Sequence, residues 1–371
     1  MRDCPIAIVG LGGVFPGAFD VGTFWSNIAN GRAFSRPAPA GRWVVDPSRF
    51  PIGYGPDHVA SVYGCFVDDA FTLDADALGL SIDASIFSRL DPVYSMAVHA
   101  GAQAFRDAKM AGVDRSRIGV ILAAIALPTE GASAMTRETL GERFRREVFA
   151  HFGAPESATF YRTVDSMNAR ATALPGALVA EALGLGGGSF TLDAACASSL
   201  YAVKLACDAL RLGECDAMIA GGVSRPDCLY TQMGFTQLKA LSRSGVCAPF
   251  DASSDGLVVG EGAGAVVLKR LDDARRDGDV IYGVIRGIGL SNDIGGSLLA
   301  PDSEGQLRAM RAAYEMAGWR PGDVELVECH GTGTPLGDAV EVRSLRALWE
   351  PDTPDDRRCA IGSIKSMIGH L

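Results

Sequence analysis

The sequence predicts a mixed α/β fold in which most strands are buried. Short apolar runs bounded by glycine alternate with longer segments whose apolar residues recur every three or four positions. The chain has 371 residues, 48% of them apolar, which is enough for two domains or one large duplicated domain. Its formal net charge of -10 argues against a nucleic-acid surface spread over the whole protein.

The apolar patterns place the individual elements. Apolar runs predict strands at residues 6–9, 118–124, 189–193, 217–220, 263–268, 280–288, 326–328 and 360–361. Helical spacing predicts helices at residues 23–30, 95–111, 174–183, 198–212, 303–317 and 338–348. Proline, glycine and acidic residues predict surface loops at 36–42 and 350–358.

The N-terminus and the cysteines indicate the cellular compartment of the protein. The first apolar run imitates a signal peptide, but Asp3, the interrupting proline and glycine, and the missing cleavage site favour a buried first strand. The longest uncharged apolar run in the middle of the chain, residues 119–128, is about half of the roughly 20 residues that cross a bilayer, so we expect no membrane span. Nine cysteines without a C-x-x-C pair predict reduced thiols in the cytoplasm and no zinc site.

Cys196 is the first candidate for chemistry. It follows an apolar strand that ends in small residues, and a helix begins beside it. Unpaired N–H groups and the dipole of that helix would lower the pKa of Cys196 and favour the nucleophilic thiolate. The alternative is a small buried cysteine at a tight junction. Two histidines further along the chain favour the nucleophile, because a reactive cysteine needs a base from elsewhere in the fold.

His330 begins a second candidate segment, a strand end followed by a Gly/Thr loop and a helix. The carboxyl end of a strand is where α/β sheets place reactive groups. Thr332 and Thr334 lie two positions apart, so an extended loop can direct both hydroxyls to one side, where they bond an amide-rich arm. A histidine that caps a turn is the alternative.

The third candidate segment contains Lys365 and His370. They are five residues apart in a stretch too rich in glycine for a helix, so we expect them to meet across a turn. Glu341 is a plausible ionic partner for Lys365. The alternative is a solvated lysine and a loop histidine.

Two segments of the chain share one order of elements. Residues 191–212 and 326–348 each contain a strand, a reactive residue, small residues and a helix, in that order. This likeness is a weak sign of internal duplication, because any α/β protein contains several strand-to-helix turns. Residues 10–16 lack the third glycine of a dinucleotide fingerprint, and the phosphate-loop, metalloprotease and serine-hydrolase motifs are absent.

The three candidate segments together resemble, in order and spacing, the β-ketoacyl synthases of fatty acid and polyketide assembly. Further matches cover essentially the whole chain, at residues 5–10, 24–25, 31–32, 90–92, 248–251, 255–264 and 363–366. The opening and residues 24–25 resemble the type I branch, in which this unit is one domain of a longer synthase. Residues 193–196 read Asp-Ala-Ala-Cys and have an alanine where many polyketide enzymes carry threonine, a variation that resembles polyunsaturated-fatty-acid and related iterative synthases.

The resemblance implies a thiolase-like, internally duplicated fold layered αβαβα. Residues 1–275 would form the half that carries the nucleophilic cysteine, and residues 276–371 the half that carries the histidines. It also implies a homodimer within a multidomain synthase that binds no cofactor or metal of its own and acts on acyl groups linked to the phosphopantetheine of an acyl carrier protein. No nucleic-acid or membrane partner is expected.

The resemblance also assigns roles at the site. Cys196 would be the acyl-carrying nucleophile, and His330 and His370 would assist malonyl decarboxylation and stabilise the enolate, each donating from Nε2.

The remaining site residues would act around that centre. Lys365 would orient the network with Glu341 as its ionic partner. Thr332 and Thr334 would hold the phosphopantetheine arm.

The implied function is decarboxylative Claisen condensation of a Cys-bound acyl group with malonyl carrier protein. The family continues beyond residue 371 with a glycine-rich segment that supplies the second backbone donor of the oxyanion hole. Loss of such a donor typically costs about 10²–10³ in rate. One alternative is therefore a truncated, non-catalytic fragment that serves in dimerisation or carrier docking. Another is a Cys–His hydrolase, which would need an Asn or Asp to orient one histidine.

Overall fold

Eleven strands and twelve α-helices lie in residues 4–110, 113–153, 164–225, 229–296, 301–349 and 359–371, which the computed structural model describes. The strands are β1 (Ile6–Val14), β2 (Arg36–Pro37), β3 (Tyr63–Cys65), β4 (Ile118–Ala124), β5 (Ser189–Leu192), β6 (Ala217–Ser224), β7 (Val259–Gly260), β8 (Gly262–Arg270), β9 (Gly283–Ile285), β10 (Leu326–Glu328) and β11 (Ala360–Gly362).

The helices alternate with these strands. They are α1 (Val21–Ala29), α2 (Ala75–Leu78), α3 (Pro92–Asp107), α4 (Glu130–Thr136), α5 (Glu142–Phe152), α6 (Leu174–Leu183), α7 (Ser198–Leu212), α8 (Leu229–Gln237), α9 (Leu271–Asp277), α10 (Ser303–Ala317), α11 (Pro335–Trp349) and α12 (Lys365–Ile368).

The central sheet has six strands in the order β5-β4-β6-β8-β1-β9. Strands β5, β4 and β6 run parallel, whereas β8 pairs antiparallel with β6 and β1, and β9 pairs antiparallel with β1. Every residue of β4 is buried. A strand covered on both faces reads as a continuous apolar run, which is why this strand could be predicted over its full length.

Helices cover both faces of the central sheet. Helices α3 and α6 pack on one face, in a core that contains Val120 and Leu122 of β4. Helix α7 packs on the other face, against Ile121 and Ala123. Glycine allows α3 to approach β1 closely, since a Cβ on Gly12 would lie 2.1 Å from the carbonyl oxygen of Ala100.

Two smaller sheets complete the described architecture. Strands β2, β3 and β7 form one, and β10 pairs parallel with β11 in the other. The parallel pair brings the carboxyl ends of β10 and β11 together, and Cys329 donates its N–H to the carbonyl of Gly362 at 2.8 Å. The segments that follow these two strands therefore lie side by side.

Most predicted elements are confirmed, with corrected bounds. The predicted strand at 280–288 shortens to β9. Helices α3 and α11 begin three residues earlier than predicted because Pro92 and Pro335 open them, and proline is favoured in a first turn. Residues 365–368 form a short helix, so the expectation that this segment is too rich in glycine for a helix was wrong.

The loop predicted at 36–42 was partly wrong. Its start forms β2, and the guanidinium of Arg42 is buried in an ion pair with Glu261 instead of lying in solvent. Helices α2, α4, α5, α8 and α9 were not predicted. The loop predicted at 350–358 lies outside the described residues. Within the described ranges, no helix has the length and apolar character that crossing a bilayer requires.

Candidate active site

Cys196 lies in a tight turn between β5 and α7, two residues before the helix begins. Ala195 has a left-handed backbone, with φ of 51°. The carboxylate of Asp193 accepts the N–H groups of Ala195 and of Ala126, both at 2.8 Å. These hydrogen bonds hold a strained turn, as active sites often require. They fix Cys196 at the carboxyl end of a strand, where the sequence placed it.

The thiol of Cys196 is less acidic than the sequence predicted. Burial raises its pKa, the nearby Asp193 carboxylate adds to that rise, and its own backbone N–H and the positive charge of Lys365 lower the pKa less. The predicted lowering by the helix dipole was therefore wrong, because desolvation of the thiolate outweighs it. Cys196 is a thiol at neutral pH and needs a base that accepts its proton.

His330 follows β10 and is anchored through its backbone. Its N–H and that of Gly331 donate to the two carboxylate oxygens of Glu341, at 2.6 and 2.8 Å. The hydroxyl of Ser363 donates to the carbonyl of His330 at 3.3 Å. The loop start therefore depends on a carboxylate from α11 and on the segment that follows β11.

Glu341 does not pair with Lys365 in this structure. No ion pair within 4.0 Å joins these two side chains in the described part of the chain, so the predicted pairing was wrong. The physical reason is that strand β10 ends with two unpaired N–H groups, which the carboxylate accepts in charge-assisted hydrogen bonds. Lys365 instead acts through its charge on the site, lowering the pKa of Cys196 and of both histidines.

His370 is held by backbone hydrogen bonds to the segment before β8. Its N–H donates to the carbonyl of Val258 at 2.7 Å, and its carbonyl accepts the N–H of Gly260 at 2.8 Å. Gly369 turns the chain into this position with φ of 74°. His370 therefore reaches the site through contacts between segments more than 100 residues apart in sequence.

The structure brings Cys196, His330 and His370 together. The Sγ atom and one ring nitrogen of each histidine all lie within 4.8 Å of one another. Burial lowers the pKa of His330 to about 4, and the positive charges of His370 and Lys365 add to that effect. Burial and Lys365 also lower the pKa of His370. Both imidazoles are therefore neutral at pH 7.

The ring of His370 contacts the residue that follows it, with Nδ1 lying 2.9 Å from the main-chain oxygen of Leu371. A neutral imidazole carries its proton on one ring nitrogen and a lone pair on the other. Donation from Nε2 by both histidines stays a prediction.

The Gly/Thr loop after His330 is tightly braced. The hydroxyls of Thr332 and Thr334 lie 2.9 Å apart, as their spacing predicted. Thr332 is buried and Thr334 half-buried, so Thr334 is the more accessible of the two. The carboxylate of Asp338 accepts the N–H groups of Gly333 and Phe250, at 3.2 and 2.8 Å. This loop can present a hydroxyl to an extended ligand.

A cavity of about 330 Å³ opens beside Cys196 and His370. Apolar side chains form most of its wall, among them Phe15, Leu127, Val203 and Phe235. Cys196 is exposed and lines this cavity. The arrangement suits a reactive thiol that carries an apolar group.

Three features of the site escaped the sequence analysis. Asp193 directly follows β5, and Asp338 lies in the first turn of α11. An aspartate at the start of a turn or in the first turn of a helix is a signal for N–H acceptance that could have identified both. Thr231 lines the cavity from α8, a helix that was not predicted. For Thr231, the sequence offers no signal.

Neither imidazole is oriented by an Asp or Asn side chain within the described residues, so the feature that a Cys–His hydrolase needs is absent there. A thiol and two imidazoles at this spacing are also ligands that Zn²⁺ accepts. A bound metal would compete with an acyl group for Sγ.

Comparison with known families gives the class of the protein. The family described as "Beta-ketoacyl synthase, N-terminal domain" matches residues 3–274, and "Beta-ketoacyl synthase, C-terminal domain" matches residues 282–371. The chain belongs to the β-ketoacyl synthase family, as its motifs predicted.

Curated relatives are polyketide synthases. The chain is 34% identical over 371 residues to polyketide synthase ThaG of Burkholderia thailandensis. It is 35% identical over 380 residues to one of the phenolphthiocerol/phthiocerol polyketide synthase subunits of Mycobacterium tuberculosis. Each alignment covers 99% of this chain but only 6% and 19% of those proteins, so the chain corresponds to one part of much larger synthases.

Solved structures with the same fold are ketosynthases. The chain superposes on "PfaC Keto synthase-Chain length factor" with a TM-score of 0.91 and 37% identity, over 99% of this chain and 40% of that one. For the ketosynthase from module 6 of the bacillaene synthase of Bacillus subtilis 168, the TM-score is 0.77 and the identity 32%, over 99% and 58%. The predicted thiolase-like α/β class is thereby confirmed.

Proposed function

We propose that this chain is a β-ketoacyl-[acyl carrier protein] synthase that joins a Cys-bound acyl group to a malonyl unit with loss of CO₂, in fatty acid or polyketide chain elongation. The observation that carries the proposal is the convergence of Cys196, His330 and His370 beside an apolar cavity. A thiol and two neutral imidazoles are the groups that thioester exchange and enolate stabilisation require.

The first step transfers the acyl group to the enzyme. Cys196 loses its proton to Nε2 of His370, and Sγ attacks the thioester carbonyl of acyl carrier protein. The carbon–sulfur bond to the carrier breaks, and the carrier thiolate takes the proton back from His370. The acyl group is then bound to Cys196, and its chain extends into the cavity.

The second step forms the carbon–carbon bond. Malonyl carrier protein loses CO₂, and the electron pair of the broken bond passes into the thioester as an enolate. A donor N–H from the neutral His330 stabilises the enolate oxygen. The enolate carbon attacks the acyl carbonyl, Cys196 leaves as a thiolate, and the product is a β-ketoacyl carrier protein.

The phosphopantetheine of the carrier protein reaches the site along the Gly/Thr loop in this proposal. Its amides would bond to the hydroxyl of Thr334, which Thr332 orients at 2.9 Å. The prosthetic group belongs to the substrate, so the synthase needs no resident cofactor for these steps.

The proposal includes a homodimer. Strand β5 lies at the edge of the central sheet, and the side chain of Phe190 on it is 45% exposed. An apolar edge strand with unpaired backbone groups is suited to pairing with a second copy. Sedimentation of the wild-type chain and of Phe190→Asp tests this part, and a wild-type monomer at micromolar concentration contradicts it.

The first experiment is acylation of the purified chain. A mass-tagged acyl thioester is incubated with wild type, Cys196→Ala and Cys359→Ala, the last a control for a partly exposed thiol elsewhere. We expect one adduct on wild type and on Cys359→Ala, and none on Cys196→Ala. If circular dichroism shows that the wild-type chain is folded and the chain still takes up no label, the proposal is contradicted. That result would favour a non-catalytic docking or dimerisation module.

A further inference from the structure

Helix α8 places an unusual hydroxyl on the wall of the cavity beside Cys196. Thr231 and Phe235 are four residues apart, so they lie on the same face of the helix, and both line the cavity. Thr231 is 3% exposed, yet its hydroxyl has no hydrogen-bond partner in the described protein. Buried hydroxyls are almost always paired, so this exception needs an explanation.

A second threonine of the same helix shows the usual arrangement. Thr236 is 1% exposed, and its hydroxyl accepts the N–H of Ala60 at 2.9 Å and donates to the carbonyl of Gln232 at 2.7 Å. Helix α8 can therefore satisfy a buried threonine on the face that packs on the protein. The unpaired hydroxyl occurs on the face that meets the cavity, which indicates a partner that enters the cavity.

The volume and the apolar wall of the cavity limit the size and polarity of that partner. Its volume of about 330 Å³ is roughly twice the cavity of about 150 Å³ that holds one benzene molecule. A chain of about eight carbons therefore fits. A fully reduced chain of that length would meet the apolar wall but would leave the hydroxyl of Thr231 unpaired, whereas an oxygen on the chain would pair with it.

We propose that Thr231 selects acyl groups that carry a hydroxyl or carbonyl oxygen along the chain over fully reduced acyl groups of the same length. A threonine hydroxyl both donates and accepts, so it can bond either kind of oxygen. The inference rests on the proposed function, since the acyl chain enters the cavity from Cys196. A site that hydrogen-bonds a substrate oxygen discriminates against the analogue without it.

The test compares acylation of Cys196 by four thioesters of N-acetylcysteamine, namely octanoyl and 3-, 5- and 7-hydroxyoctanoyl, measured by intact mass over time. We expect at least one hydroxyoctanoyl thioester to react about 3- to 10-fold faster than octanoyl with wild type, the effect of one net hydrogen bond. Thr231→Val keeps the shape and removes the hydroxyl, so its preference should vanish. Thr231→Ser should retain it.

Thr236→Val is the matched control. It should keep the preference but melt at a lower temperature, because it breaks two hydrogen bonds. Thr231→Val should melt no lower than wild type, because it breaks none within the protein.

Equal rates for all four thioesters with wild type would overturn the selection while leaving the condensing function intact. A preference that survives Thr231→Val, or an equal loss of rate for all four thioesters in that variant, would overturn it as well. If no thioester labels wild-type Cys196, the proposed function fails, and this inference fails with it.

Discussion

The imidazole rings of His330 and His370 meet edge to face, with 5.5 Å between their centroids and 88° between their planes. Two cations this close repel each other, and Lys365 adds a third positive charge nearby. The pair is therefore neutral at pH 7 and accommodates a single added proton. In the proposed mechanism that proton comes from Cys196, which couples the formation of the nucleophile to the charging of one histidine.

His330 is expected to act mainly on decarboxylation. His330→Ala should reduce CO₂ release from malonyl thioester by about 10²–10³, the typical effect of removing one donor to a developing oxyanion. His151→Ala, on the exposed helix α5, should leave the rate unchanged. Scintillation counting of carboxyl-labelled malonyl thioester measures both. A rate within twofold of wild type in His330→Ala would remove this histidine from the proposed mechanism.

The lowered pKa of His330 predicts a pH window for stability. The folded pKa is about 4 and the ordinary value 6.5, so between these values the unfolded chain binds more protons. The contribution of His330 is therefore fully present above pH 6.5 and is lost as the pH falls toward 4. Urea unfolding of wild type and His330→Gln at several pH values measures it. We expect a shallower decline in His330→Gln, and equal slopes would contradict the lowered pKa.

Lys365 is expected to assist Cys196 through its charge. Burial raises the pKa of the Cys196 thiol and the lysine opposes that rise, so Lys365→Met should slow alkylation by iodoacetamide severalfold at pH 7.5. Lys239→Met removes an exposed charge elsewhere and serves as the control. The alkylation rate of wild type should still climb above pH 9. A plateau near pH 7 would mean that the thiol is more acidic than its burial implies.

The carboxylate of Glu341 should contribute to stability without Lys365. Glu341→Gln keeps one acceptor oxygen and turns an amide donor toward a backbone N–H, so we expect a loss of about 1–3 kcal/mol in the free energy of unfolding. Lys365→Met should leave that free energy nearly unchanged. Calorimetry of both variants measures the two free energies of unfolding. Equal losses of stability in Glu341→Gln and Lys365→Met would support the ion pair that the sequence predicted.

Close packing of α3 on β1 predicts that alanine is tolerated less well at Gly12 than at Gly234. Gly12→Ala would press a methyl group against the carbonyl of Ala100, so we expect a loss of about 1–3 kcal/mol or more. Gly234, inside α8, has open space where a Cβ would point. Gly234→Ala should therefore stabilise the protein by about 0.5–1 kcal/mol, since alanine favours a helix. Urea unfolding compares the two, and a neutral Gly12→Ala would contradict the close approach.

The strands and helices that depend on a local sequence pattern were predicted best. Strand β4 could be identified over its full length because both of its faces are buried. Helix α7 could be identified because one face repeats apolar residues at helical spacing. Helix α8 has no such stripe, and β2, β3 and β7 are short, so their existence depends on contacts with distant segments.

The sequence by itself determined the α/β class, the family, and the positions of Cys196, His330 and His370, because those depend on periodicity and on motifs carried by neighbouring residues. Only the tertiary structure decided the acidity of the thiol, the partner of Glu341 and the unpaired hydroxyl of Thr231. The physical reason is that desolvation and hydrogen bonding depend on which groups meet in space, and those groups come from segments far apart along the chain.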